Sequence, residues 1–176
     1  MKMIDMTNDK KLNIEDQWPE VKSAFNSCIA ASKHCSISTI GQDGYPHTTP
    51  IGFIFLIDSS KLIYFEKYST SIAINAGVSR KVCISVVNTN SWFWFKSLLS
   101  GRFGSAPGLR LYGELGELRK ATDEELKLYH AKIASTKNLK GSQMIWSGFD
   151  EVREISLLSF KPVTYPKMMD GLWGVI

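Results

Sequence analysis

Two stretches of this 176-residue chain carry the residue types that could do chemistry. The first is Lys67-Tyr68-Ser69-Thr70-Ser71, three consecutive hydroxyls where a strand gives way to a short helix, with Arg80 and Lys81 beyond the helix. A helix start exposes unpaired N–H groups and a partial positive charge. Hydroxyls there suit two jobs, capping the helix or helping to hold a phosphate. Three in a row exceed what a cap uses, and both readings stay open. The second stretch is His47-Thr48-Thr49-Pro50-Ile51, a strand that opens on Pro46 and is interrupted by Pro50. Proline donates nothing to a ladder and belongs on an edge or an interrupted strand. A flat ligand lying along that edge would use the backbone groups freed there; the plain alternative for His47 is a surface or satisfied histidine.

Other chemistries find little support. His34 and His130 stand alone in the sequence, and no pair of histidines or cysteines has the spacing of a zinc site. No nucleophile elbow, Walker loop, dinucleotide-binding glycine pattern or HExxH occurs. The three cysteines, Cys28, Cys35 and Cys83, are odd in number and lack a CxxC, which points to buried thiols in a reduced, intracellular protein. A net charge of +4 spread along the chain does not make a nucleic-acid protein. The N-terminal stretch is polar, unlike a secretory signal, and the run Ile51 to Ile57 is too short to span a bilayer, so a cytoplasmic protein with no membrane partner is expected. Trp92-Phe93-Trp94-Phe95 could close over a planar ligand or touch a membrane; core or subunit interface is the favoured reading.

The elements that must position these residues follow from periodicity. Trp18-Pro19 opens a helix with Val21, Ala24, Phe25, Cys28 and Ile29 on one face, ending near His34. Strands are expected over Cys35–Thr39, His47–Ile57, Leu62–Tyr68, Lys81–Asn88, Leu109–Arg119 and Val152–Lys161. A turn at Asp43-Gly44 links the first two, its central positions wanting positive φ. A short helix runs through 69–77. Residues 91–108 form an inserted helix and loop. Thr122 and Glu125 make a capping box for a helix with Leu126, Tyr129 and Ile133 on one face. Met144-Ile145-Trp146 falls in a loop. With 44% hydrophobic residues the chain can bury a core without metal or disulfide. These elements predict one domain, 1–176, mainly β: a six-stranded antiparallel barrel with peripheral helices, closed because closure removes exposed edges.

The ordered set of motifs resembles a known family. The "DG-Pro-His" hairpin, the Pro50 strand, "KLIYFEKY", the hydroxyl-rich helix start, Asn75 and "KVCISVVN" are similar to the pyridoxamine 5′-phosphate oxidase-like FMN-binding split barrels, over about residues 20 to 90. Beyond that, "PGLRLYGELGELRKAT" looks like the family's fifth strand. The resemblance implies a homodimeric split barrel with two FMN molecules in grooves between subunits. The isoalloxazine ring would lie along His47, Thr48, Thr49, Pro50 and Ile51, and the phosphate on Lys67, Tyr68, Ser69, Thr70 and Ser71. Such a flavoprotein would be an oxidoreductase acting on a small-molecule substrate or electron donor, with no obligatory acid or base among its side chains. Trp92, Phe95 and Arg110 are the candidate substrate contacts. Ile72 stands where the family often has the basic residue of a Ser-x-Lys pattern, so Lys67, Arg80 or Lys81 would have to supply the charge. The tail "DGLWGVI" lacks the Arg-Leu-x-Pro ending of the biosynthetic oxidase, so vitamin B6 oxidation is not expected. The alternative is a non-catalytic carrier of flavin, deazaflavin or haem, a haem needing His47, His34 or His130 as axial ligand.

Overall fold

The computed structural model describes residues 12–169; the polar N-terminal stretch and the "DGLWGVI" tail lie outside them. Seven strands form one antiparallel sheet: β1 (Cys35–Ile40), β2 (Pro46–Ile51), β3 (Ile54–Leu56), β4 (Lys61–Phe65), β5 (Lys81–Val87), β6 (Gly108–Lys120) and β7 (Glu151–Pro162). Their spatial order is β2-β1-β5-β6-β7-β4-β3. The first and last strands in that order are consecutive in the chain, separated by Gly52 and Phe53 alone. The sheet therefore curls until its two ends meet in one bent segment, the layout of a split barrel. The expected single strand His47–Ile57 is this segment, broken once; six strands become seven for that reason.

The break has a visible cause. The Gly52 carbonyl is drawn out of the ladder to accept a hydrogen bond from the Lys132 ammonium, and that side chain lies over the rings of Phe53 and Phe55. Lys132 comes from α4 (Asp123–Ile133), which starts with the expected capping box: Thr122 Oγ1 accepts from Glu125 N–H and the Glu125 carboxylate accepts from Thr122 N–H. Burial holds the Lys132 pKa below that of a free lysine. The ladder resumes beyond the break, with Phe65 N–H on the Phe53 carbonyl at 3.0 Å.

Inside the curl lies the main core. Ile37, Ile84, Leu109, Leu111, Ile155 and Phe160 meet Val21, Ala24, Phe25 and Cys28 of α1 (Trp18–Ser32), the helix expected from their spacing. It ends two residues before His34, at Ser32, with Lys33 left-handed as its cap. A second core holds Phe53, Phe65, Tyr129, Phe149 and Val152, with Leu126 and Ile133 of α4 against it. Met144-Ile145-Trp146, expected in a loop, belong to α5 (Lys140–Trp146). This helix has no side-chain cap, and Gly141 sits in its first turn; the Trp146 ring, 4.9 Å from Phe53, anchors it. Local sequence contained none of this, because the helix is held by tertiary packing.

The hairpin turn also differs from expectation. Gly44 N–H bonds to the Gly41 carbonyl and Gly41 N–H to that of Tyr45. The turn bends at Gln42-Asp43, and of the pair Asp43-Gly44 only Gly44 (φ 78°) is left-handed. This is the longer hairpin loop with one left-handed residue, instead of a two-residue turn with two.

An ion pair is buried between the strands. Arg153 on β7 donates from Nε to Glu66 Oε2 at 2.7 Å and from Nη1 to the Gly116 carbonyl of β6 at 2.9 Å, while Tyr64 Oη donates to the same Glu66 oxygen at 2.6 Å. Both charged side chains are only 8% exposed. Removing one partner strands the other charge in the core, at a cost of about 3–5 kcal/mol. Arg153→Leu and Glu66→Leu should each lower the melting temperature strongly, and the double variant Glu66→Leu/Arg153→Met should recover much of the loss; equal loss in the double variant would contradict this.

Candidate functional site

The site predicted from sequence is built where β2 meets α2 (Thr70–Ala76). β2 is an edge strand: one side pairs with β1, Thr49 opposite Ile37 and His47 opposite Thr39, and the other has no strand partner among the described residues. Its side chains alternate. Pro46, Thr48 and Pro50 are exposed, and His47, Thr49 and Ile51 turn to the opposite, more buried side. Both prolines thus lie in an edge strand, as the missing N–H groups require. α2 packs on β1 and β2, bringing the two predicted stretches together: Thr49 Oγ1 and Ser71 Oγ lie 3.2 Å apart.

A polar chain continues along the same side. Buried Asn75 donates from Nδ2 to Thr39 Oγ1 at 2.9 Å and to His47 Nδ1 at 3.1 Å. An amide NH2 only donates, so Nδ1 accepts and the ring proton sits on Nε2. That nitrogen lies 3.6 Å from Asp43 Oδ1. Gly41 makes this possible: a Cβ there would lie 2.6 Å from Asp43 Oδ1 and 2.8 Å from the His47 ring. His47 is thus held in one tautomer by two neighbours. Asn75 mattered to the resemblance, but its link to His47 spans 28 residues and carried no signal in the sequence.

The hydroxyl trio is not spent on capping. Ser69 occupies the N-cap position of α2, yet no side-chain hydrogen bond caps this helix. Ser69 is buried, Thr70 exposed and Ser71 tied to Thr49. Lys67 and Tyr68, expected beside them, are turned towards α5: the Lys67 ammonium donates to the Ser147 carbonyl and lies over the Tyr68 and Phe149 rings, and Tyr68 Oη donates to the Ile145 carbonyl at 3.2 Å. Ile72 is fully buried and belongs to the main core. Arg80 pairs with Glu117.

The candidate substrate contacts separate. Trp92 and Phe95 lie on α3 (Ser91–Ser100), rings stacked 5.5 Å apart and both more than half exposed. Phe93 and Trp94 are partly buried and pack against a small core of Phe103, Ala106 and Met169. The aromatic run thus splits, half in the core and half at the surface. Arg110 sits on β6 with Ser85 and Lys161 as its cross-strand neighbours, on the outer side of the sheet. His34 is exposed, its Nδ1 2.8 Å from the Ser32 carbonyl, and His130 is exposed on α4. Among the described residues no three His, Cys, Asp or Glu are grouped to hold a metal ion, and no helix is long and apolar enough to cross a membrane.

Comparison with known proteins agrees with this architecture. The family model for pyridoxamine 5′-phosphate oxidase matches residues 21–156, well past residue 90 where the motif resemblance weakens. Among solved structures, an FMN-binding protein from Syntrophomonas wolfei subsp. wolfei has the same fold at 14% identity, with a TM-score of 0.57, 86% of this chain and 95% of that one covered. HupZ from Group A Streptococcus matches at 19% identity and a TM-score of 0.51, over 82% of this chain and 92% of its own. No curated protein matches. The curled antiparallel sheet, the proline-bounded edge strand and a family model spanning most of the sequence agree: the chain belongs to the pyridoxamine 5′-phosphate oxidase family.

Proposed function

We propose that the chain is an FMN-binding flavoprotein and an oxidoreductase acting on a small molecule. The observation that carries this reading is the meeting of β2 and α2, where Thr49 and Ser71 join hydroxyls at 3.2 Å beside the uncapped Ser69 and Thr70. Family membership and the fold shared with the S. wolfei protein support it.

The residues fit the group in hydroxyls more than in charge. Thr49, Ser69, Thr70 and Ser71 would hold the phosphate, and the open edge of β2 from His47 to Ile51 would carry the ring. Lys67, engaged with the Ser147 carbonyl, is the nearest cation in sequence and could reach the phosphate only by leaving that contact. Charge-assisted hydrogen bonds are the stronger kind, so affinity here rests on neutral donors. Bound FMN would supply hydride or single-electron chemistry. The protein's part is to orient the ring and to hold His47 in place, with Asn75 at its Nδ1 and the Asp43 carboxylate facing its Nε2. The unpaired edge of β2 supports a homodimer with one flavin in each groove between subunits. A haem carrier is the poorer reading, because both ring nitrogens of His47 already face partners.

Flavin fluorescence titration tests the site. The wild-type protein should quench FMN saturably, and Thr49→Val/Ser71→Ala should weaken binding about tenfold or more while the fold, followed by circular dichroism, persists. Riboflavin, which lacks the phosphate, should bind both proteins equally and weakly. Unchanged FMN affinity in the double variant would place the phosphate elsewhere. Oxidation of NADH or NADPH by the FMN-loaded protein would support the enzyme; its absence with every donor tried would favour the carrier.

A further inference from the structure

A cavity of about 660 Å³ lies away from β2, between α1 and α3. None of the residues assigned to FMN lines it. Its existence follows from small side chains: α1 presents Ser27, Ala30 and Ala31, one face of the helix, and bulkier residues there would close the space. The facing wall is the stripe Trp92, Phe93, Lys96, Ser97 and Ser100, positions i, i+1, i+4, i+5 and i+8 of α3. The loop after α3 adds Arg102.

The chemistry of this wall is one-sided. Lys96 and Arg102 make no ion pair among the described residues, and no carboxylate lines the cavity. Two cations in a concave site, with no acidic partner among the described residues, attract an anion. Hydroxyl and amide groups stand beside them: Ser27, which accepts from Asn88 Nδ2 at 3.3 Å, keeps its own O–H to donate. Trp92 lies at the mouth, 65% exposed, stacked on Phe95 and offering a flat apolar surface. The volume falls in the range of roughly 300–1,000 Å³ that suits small ligands.

We infer that the cavity between α1 and α3 is a binding site for a small aromatic anion, its ring on Trp92 and its carboxylate or phosphate on Lys96 and Arg102. This does not depend on the flavin reading, since the two sets of residues are disjoint.

Calorimetric titration of the purified protein with phenyl phosphate and with benzoate tests it, each repeated in the presence of saturating FMN. Saturable binding of one probe is expected, and which one binds identifies the anionic group. Lys96→Ala/Arg102→Ala should weaken it at least tenfold, and Trp92→Ala should weaken it several-fold relative to wild type, with inorganic phosphate binding less well than the aromatic probe. All three side chains are exposed, so the melting temperature should hold and a loss of binding would not reflect unfolding. The inference is overturned if neither probe binds, if the double variant binds as wild type does, or if FMN displaces the probe, which would make this the flavin's own cavity.

Discussion

The fold depends on one bent segment, Pro46 to Leu56, which supplies both ends of the sheet. Its first half pairs with β1 and its second with β4, and the turn between them is fixed by a lysine ammonium bonded to the Gly52 carbonyl. A straight strand there would leave the sheet open at both ends. With the bend, the ends meet and the core closes around α1. The same geometry leaves the outer edge of β2 without a strand partner among the described residues. That edge is where proline is tolerated, and where a planar ligand would find backbone groups without a strand to satisfy them.

The site follows from this arrangement by short steps. α2 follows β4 in the chain and lies back across β1 and β2, so hydroxyls separated by 22 residues come into contact. Asn75, one turn further along, reaches Thr39 and His47 together and fixes the imidazole's tautomer. These are local consequences of a helix placed on an edge strand. The buried Glu66–Arg153 pair, next in the chain to Lys67, braces the neighbouring strands β4, β6 and β7 against one another.

Much of this was legible in the sequence where the signal is local. The α1 face, the Thr122–Glu125 capping box and the hydroxyl cluster were readable because periodicity, capping and composition act over a few residues. The break at Gly52 was not, because it depends on Lys132, 80 residues away. Nor was α5, which has no cap and is anchored by Trp146 against Phe53. The role of Ile72 changes most: aligned with a basic position it reads as a lost phosphate ligand, but in the structure it is core. Lys67 shows the reverse, a cation next to the hydroxyls in sequence that is turned away onto Ser147. Side-chain direction at a strand-to-helix junction is set by what packs there, and one sequence does not carry that. The run from Trp92 to Phe95 likewise divides between core and surface by helical phase alone, which the density of aromatics concealed.

The central claim is that an edge strand and a hydroxyl-bearing helix hold FMN. The visible absorption spectrum of the purified protein, mixed with FMN and then desalted, addresses it most directly. The account predicts the paired bands of an oxidised flavin travelling with the protein. A colourless protein after desalting, with all the flavin in the small-molecule fraction, would contradict it.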